Sequence, residues 1–338
     1  MARFTVYHTS AITVPRVEQE AVAALDGELR IIAPGKSATE LATLMPDALC
    51  MLVGLAPITA EVLAGAPNCK VVVRYGVGVD NVDLDAATAQ GVVVAHVPDV
   101  HRREVANHTI MLLLASTRKL IPQDRAIRAG GWSIGPLAPT PRLYEQTLGL
   151  VACGHIAREV AKRAHSMSMR VIGYDPYVDR KLTDEAGIEM IDALPDLLAQ
   201  SDVVSIHAPT TDETRHMIDA AAFAQMKDTA HLINTARGPV VDGAALEQAL
   251  QSGAIAGAGL DVHEPEPLPV DSPLRSMDNV VLTPHSAYYS DYATGILIGR
   301  AAESMVHVLT GHWPRFVANK GVLDKLDLKP CPDPPSEP

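Results

Sequence analysis

Short runs of β-branched and other apolar residues alternate along this chain with longer amphipathic stretches, and that alternation restricts it to layered α/β folds in which helices cover parallel strands. The runs lie at residues 3–7, 48–54, 70–74, 91–95, 148–152, 170–174, 202–207, 231–235, 256–261 and 279–283. Several are continuous rather than alternating, such as KVVVR and GVVVA, as strands buried on both faces of a sheet require. Apolar residues at three-to-four spacing predict helices over 103–120, from Gly154 to about Ser168, and over 242–250. Aromatic residues are only 4% of the chain, so Ala, Val, Ile and Leu must build the core.

The pattern changes character near residue 100 and again near residue 287, each time beside a long apolar helix candidate. This predicts two doubly wound parallel-sheet domains, one inserted in the other. Residues 1–100 and 288–338 form a discontinuous outer domain, and residues 101–287 form a central one, with a cleft between them. The final stretch, LDLKPCPDPPSEP, is expected to be disordered.

With 28 Lys and Arg against 40 Asp and Glu, the net charge is −12, which argues against nucleic acid as a partner. Cys50, Cys69, Cys153 and Cys331 are scattered, so neither a disulfide framework nor a metal site is expected, and a reduced, cytoplasmic setting fits. The N-terminal stretch MARFTVYHTSAITVPR lacks the features of a signal peptide, and no apolar run reaches the ~18 residues of a membrane span. A soluble protein is expected.

Residues 147–157, TLGLVACGHIA, read as a strand, a turn of small residues and a helix. In the dinucleotide fingerprint, glycines allow a tight turn and bring backbone N–H groups to a pyrophosphate at a helix N-terminus. Here its three glycine slots hold Ala152, Gly154 and Ala157. Asp175 ends the next strand 21 residues after Gly154, near the spacing at which a carboxylate meets the ribose hydroxyls, and its charge favours NAD over NADP. An ordinary strand–turn–helix and a turn aspartate would account for the same residues.

INTARG at 233–238, LDVHEPEP at 260–267 and LTPHSA at 282–287 each follow a predicted strand. Strand carboxyl ends gather at one edge of a doubly wound sheet, so Arg237, Glu266 and His285 are expected to meet there. A guanidinium binds a carboxylate and polarises a carbonyl, an imidazolium protonates the carbonyl oxygen, and a neighbouring carboxylate keeps the imidazole charged. Each of the three also suits a cap, a solvated loop or a structural role. In RYGVGVDN at 74–81, Gly76 to Gly78 offer N–H groups to a substrate carboxylate, or simply form a β–α turn.

These segments, with VPDVHRREVANHTIMLLLA, YDPY and HAPTTDETRHMI, make residues 45–320 resemble the D-isomer-specific 2-hydroxyacid dehydrogenases, the family containing D-3-phosphoglycerate dehydrogenase. The resemblance implies a Rossmann-type NAD-binding domain inserted into a flavodoxin-like substrate domain, and interconversion of a 2-keto acid and a D-2-hydroxy acid. By the same resemblance Arg237, Glu266 and His285 are catalytic. Gly154, His155, Ile156, Asp175, His207, Pro209, Thr235, Ala236 and Asp261 would contact NAD, and Arg74, Tyr75, Gly76, Val77, Gly78 and Tyr288 the substrate, with Arg102 a further substrate candidate from its basic stretch alone. A homodimer through the helix around Val105 to Leu120 is implied as well.

The segment HSAYYSDYA is similar to the branch that includes the C-terminal binding protein corepressors, so an NAD(H)-sensing, non-catalytic dimer is an alternative. A phosphite- or formate-type dehydrogenase is another, although the formate branch typically carries Gln at the Glu266 position. Ala152 and Ala157 are expected to crowd the pyrophosphate turn, and His155 stands where the family usually has Arg. The basic stretch His101-Arg102-Arg103 suggests a contact to a second anionic group on the substrate, or the solvated start of a helix.

Overall fold

The structure is a computed structural model that describes residues 3–10, 15–134 and 139–333. The chain separates into two compact units, Met1–His101 with Ser290–Pro338, and Arg102–Tyr289.

In the first unit, strands β1 (Thr5–His8), β2 (Glu28–Ile31), β3 (Ala48–Val53), β4 (Val71–Arg74) and β5 (Val93–His96) form one parallel sheet in the order β2-β1-β3-β4-β5. This is the flavodoxin-like order. Its connections carry α1 (Arg16–Ala23), α2 (Ala38–Leu44), α3 (Ala60–Gly65) and α4 (Leu84–Gln90). Local chemistry sets their ends: Ser37 and Glu40 make a reciprocal capping box on α2, and Asp83 caps α4 by accepting from Ala86 N. Because side chains alternate across a strand, Met51, Val53, Val72 and Val94 enter one core, while Cys50, Leu52, Val71, Val73 and Val93 enter the core on the other face. The last helix, α12 (Asp291–Leu309), returns to this unit and buries Leu297, Ala301, Met305 and Val308 in the second core.

The Pro-rich tail departs from the expected disorder over its described part. Leu326 and Leu328 pack on that second core, Lys329 N donates to Gly311 O at 2.9 Å, and Trp313 N donates to Lys329 O at 2.8 Å. Two leucines with a place to bury outweigh the local Pro content. Residues 334–338 of the tail lie outside the described residues.

The second unit holds α5 (Arg102–Thr117), α6 (Leu120–Arg128), β6 (Thr147–Val151), α7 (His155–Ser166), β7 (Arg170–Tyr174), α8 (Arg180–Glu185), β8 (Glu189–Met190), α9 (Leu194–Gln200), β9 (Val203–Ile206), α10 (Ala220–Phe223), β10 (His231–Asn234), α11 (Gly243–Ser252), β11 (Gly257–Leu260) and β12 (Val280–Leu282). Its strands are all parallel, in the order β12-β11-β10-β9-β6-β7-β8. Counted from β6, this is the Rossmann strand order extended by one edge strand. The order reverses between β6 and β9, and in such sheets ligands bind outside the strand carboxyl ends at that point. No helix among the described residues is long and apolar enough to cross a membrane.

Candidate active site

The turn after β6 lies at this reversal. Ala152 adopts φ +67°, a left-handed conformation that the missing first glycine would take without strain, and its N–H donates to Tyr174 O at 2.8 Å. Cys153 N donates to Asp175 Oδ2 at 2.8 Å, while Asp175 Oδ1 accepts from Tyr177 N at 2.8 Å and Val178 N at 3.1 Å. Asp175 therefore ties the turn to the end of β7. Gly154 is the N-cap of α7 and supplies no side-chain cap, and among the described residues a Cβ placed on it would meet nothing within 4 Å. Ala157 and Ile156 face inward, Ala157 being fully buried in the core that packs α7 on β6.

Cations surround this helix end. Arg158 Nη2 lies 3.0 Å from His155 Nδ1, and burial together with the charges of Arg102 and Arg158 lowers the His155 pKa. A neutral His155 accepts that guanidinium N–H at Nδ1 and carries its own proton on Nε2. Arg102 thus stands near the N-terminus of α7. Sequence reasoning missed Arg158, whose signal was its position one turn after His155. Across the reversal, His207 N donates to Val151 O at 2.8 Å, and burial pushes its imidazole down to about 4. Pro209 is exposed, and its carbonyl accepts from Thr214 Oγ1 at 2.6 Å.

Three loops follow β10, β11 and β12. After β12, His285 Nδ1 lies 2.8 Å from Glu266 Oε2, with 24% and 27% of the two side chains exposed. Glu266 Oε1 also accepts from His263 N at 2.9 Å. Burial alone would raise the Glu266 pKa, but the His285 imidazole and the His263 N–H outweigh it and hold the carboxyl below its usual range. After β10, Arg237 Nη1 donates to Ala236 O at 2.7 Å, Ala236 N donates to Asn234 Oδ1, and Asn234 Nδ2 donates to Arg237 O at 2.8 Å. Gly238 joins the two loops, because a Cβ there would sit 1.9 Å from His263 O. Only glycine lets the Arg237 loop reach the segment that carries Glu266.

Asp261, expected as a cofactor contact, also anchors the loop that follows β12. It is fully buried, Oδ1 accepts from Thr283 Oγ1 at 2.5 Å and Ser286 N at 2.9 Å, and Oδ2 accepts from Ala287 N at 2.9 Å. Its backbone carbonyl takes His285 N at 2.7 Å. Burial pushes its carboxyl up, yet His108, Thr283 and the two backbone donors pull it down to about 2. The carboxylate is committed to the loop that carries His285, itself at φ +52°. Tyr288, part-buried beside Tyr289 at a ring separation of 6.5 Å, follows in the same loop.

In the first unit, the residues from Arg74 to Gly78 follow β4. Gly76 O accepts from Val97 N at 3.0 Å and Val77 O from His96 Nδ1 at 2.9 Å, which orients these peptides. Val77 is exposed. Arg74 and Tyr75, expected as substrate contacts, turn inward: both are buried, the Arg74 guanidinium donates to Tyr75 O, and the Tyr75 hydroxyl donates to buried Glu18 at 2.5 Å. They brace the loop, and Glu18 was a partner that the sequence did not disclose.

A Rossmann-ordered sheet whose strand ends carry an open glycine turn, an acidic residue after the second strand and a His–carboxylate pair suits a nicotinamide-dependent oxidoreductase, a class that comparison with known proteins supports. Residues 110–287 match the family model for the D-isomer specific 2-hydroxyacid dehydrogenase, NAD binding domain. A glyoxylate reductase of Thermofilum pendens is 44% identical over 83% of this chain and 83% of its own length. A D-3-phosphoglycerate dehydrogenase of Archaeoglobus fulgidus is 38% identical over 80% of this chain and 51% of its own. The crystal structure of D-lactate dehydrogenase from Aquifex aeolicus, complexed with NAD and lactic acid, superposes with a TM-score of 0.81 at 29% identity, covering 95% of this chain and 98% of that one. The chain belongs to the D-isomer specific 2-hydroxyacid dehydrogenases, which use a nicotinamide cofactor.

Proposed function

We propose that this protein reduces small 2-keto acids to D-2-hydroxy acids with NADH, using Arg237, Glu266 and His285. The observation that carries the reading is the 2.8 Å contact between His285 Nδ1 and Glu266 Oε2 on a loop clamped by Asp261. With Glu266 ionised, His285 donates its Nδ1–H to the carboxylate, and Nε2 becomes the atom that exchanges a proton with the substrate. Arg237, whose loop packs through Gly238 on the segment that carries Glu266, binds the substrate carboxylate and polarises its keto group. When bound, the reduced nicotinamide supplies a hydride, and the Nε2 proton completes the hydroxyl.

The residues present fit NAD. The uncapped α7 N-terminus, the space over Gly154, and Arg102, Arg158 and His155 suit its phosphates, and Asp175 suits the ribose hydroxyls. Of the expected contacts, Ile156, His207, Pro209, Thr235 and Ala236 border the same strand ends. The position of Arg102 beside His155 favours cofactor phosphate over a second anionic group of the substrate. The oriented Gly76–Gly78 peptides suit a substrate carboxylate.

We also infer a homodimer through the second unit. Met111, Leu120, Ile121, Ile127, Trp132 and Ile134 are exposed on α5, α6 and the segment after them, with Trp132 at 91%. Sedimentation of the wild type against Trp132→Asp with Ile127→Asp tests it, since a dimer predicts loss of the heavier species.

NADH oxidation by the purified protein against glyoxylate, pyruvate, hydroxypyruvate and phosphonopyruvate tests the reaction. Glyoxylate heads the panel because the Thermofilum relative is named for it. Turnover that His285→Ala abolishes supports the reading; NADH binding without turnover on any 2-keto acid contradicts it and returns the sensing alternative.

A further inference from the structure

Helix α5 carries no residue of the proposed triad, yet two of its adjacent side chains end on the loops that hold His285 and Arg237. Successive helical residues point about 100° apart, so neighbours reach different loops. The sheet order places β11 between β10 and β12, and α5 packs on all three. Gly259 of β11 permits this, since a Cβ there would stand 2.9 Å from Leu112 Cβ and 3.2 Å from Leu112 O. Any larger residue would lift α5 away from the strand ends.

The hydrogens in both contacts can be assigned. Thr283 Oγ1 has one proton and gives it to Asp261 Oδ1 at 2.5 Å, so at 2.9 Å it accepts from His108 Nε2, which lies 3.4 Å from the same Asp261 oxygen. Thr109 is fully buried, and its hydroxyl donates to Val105 O at 2.8 Å. In the 2.8 Å contact between Thr109 Oγ1 and Thr235 Oγ1, Thr235 is therefore the donor. Its proton points inward, leaving the oxygen of Thr235 as an acceptor.

We propose that His108 and Thr109 are positioning residues that hold the two catalytic loops to α5, His108 through Thr283 and Asp261 to the loop of His285, Thr109 through Thr235 to the loop of Arg237. The roles of those loops rest on the function proposed above. The donated hydrogens fix loop geometry, so their loss lowers turnover more than substrate affinity.

The test compares Thr109→Val and His108→Leu, which remove the polar contact, with Thr109→Ser and His108→Gln, which keep a hydroxyl and a donor. Full-length proteins are measured for kcat and KM on the best 2-keto acid of the panel, for thermal melting, and for deuterium uptake in the peptides spanning residues 283–289 and 234–238. Expected for Thr109→Val and His108→Leu are a kcat at least about tenfold lower with KM within about threefold, and faster uptake in the matching peptide, with recovery in Thr109→Ser and His108→Gln. Unchanged kcat and uptake overturn the proposal. So does an equal loss in all four variants in step with their melting temperatures, because bulk destabilisation then explains it. A wild type that turns over no 2-keto acid, or a fully active His285→Ala, defeats the proposed function, and the uptake data still decide whether α5 holds the loops.

Discussion

His285 Nδ1 and Glu266 Oε2 face each other at 2.8 Å across two loops that the chain brings together from 19 residues apart. Glu266 keeps its charge below the usual carboxylate range, so the pair persists as pH falls through the ordinary carboxyl pKa. Glu266→Gln replaces the carboxylate that accepts from Nδ1 and orients the ring. Its kcat/KM should fall roughly tenfold. A pH–rate profile that coincides with the wild type at full activity would remove Glu266 from the mechanism.

Gly238 predicts a severe defect from one methyl group. A Cβ 1.9 Å from His263 O must drive the Arg237 loop away from the Glu266 segment. Gly238→Ala should lose about 3 kcal/mol of stability and on the order of 100-fold in kcat. Melting and steady-state kinetics check both, and near-normal kcat would show that the loops need not touch.

Ala152 predicts the opposite sign. A non-glycine residue at φ +67° is strained, and glycine relieves it. Ala152→Gly should gain about 1 kcal/mol and raise the melting temperature by roughly 2 °C, while NADH binds at least as tightly. Weaker NADH binding in calorimetry would mean that the Ala152 side chain contributes to the cofactor site.

Acid sensitivity has an identifiable source away from the active site. His231 begins β10, is 5% exposed, and is pushed down to about 4 by burial and then by Lys119, with Ser116 Oγ 2.7 Å from Nδ1. Between pH 6.5 and 4 the unfolded chain binds a proton that the folded one refuses, so stability rises with pH across that window. The contribution is complete above about 6.5 and lost as pH falls toward about 4, by roughly 3 kcal/mol. His231→Gln should flatten the melting-temperature profile there; His207, also near 4, leaves a residual slope.

The central strands could be read from the sequence because helices cover both faces, which turns each into an apolar run. Strands β2 and β8 could not: ELRI is largely exposed, and Glu189–Met190 is a two-residue edge, so neither carries an apolar run. Residues at strand ends mark themselves as site candidates through their type and spacing. Residues that act through a neighbour do not. Asp261 reads as a ligand contact, with nothing to show that it also clamps the His285 loop, and Gly238 looks like a turn until His263 lies against it. His108 and Thr109 left one trace, the polar run Asn107-His108-Thr109 inside a helix that is otherwise apolar from Val105 to Ala115.

The most direct measurement is the rate of NADH oxidation with glyoxylate and pyruvate by the wild type and by His285→Ala, with chiral analysis of the lactate formed. Wild-type turnover yielding D-lactate and a loss of at least about 1,000-fold in His285→Ala are the predicted results. Turnover that survives the loss of His285 would contradict the assignment of the acid at the heart of the site, and L-lactate as the product would contradict the D-specific reading.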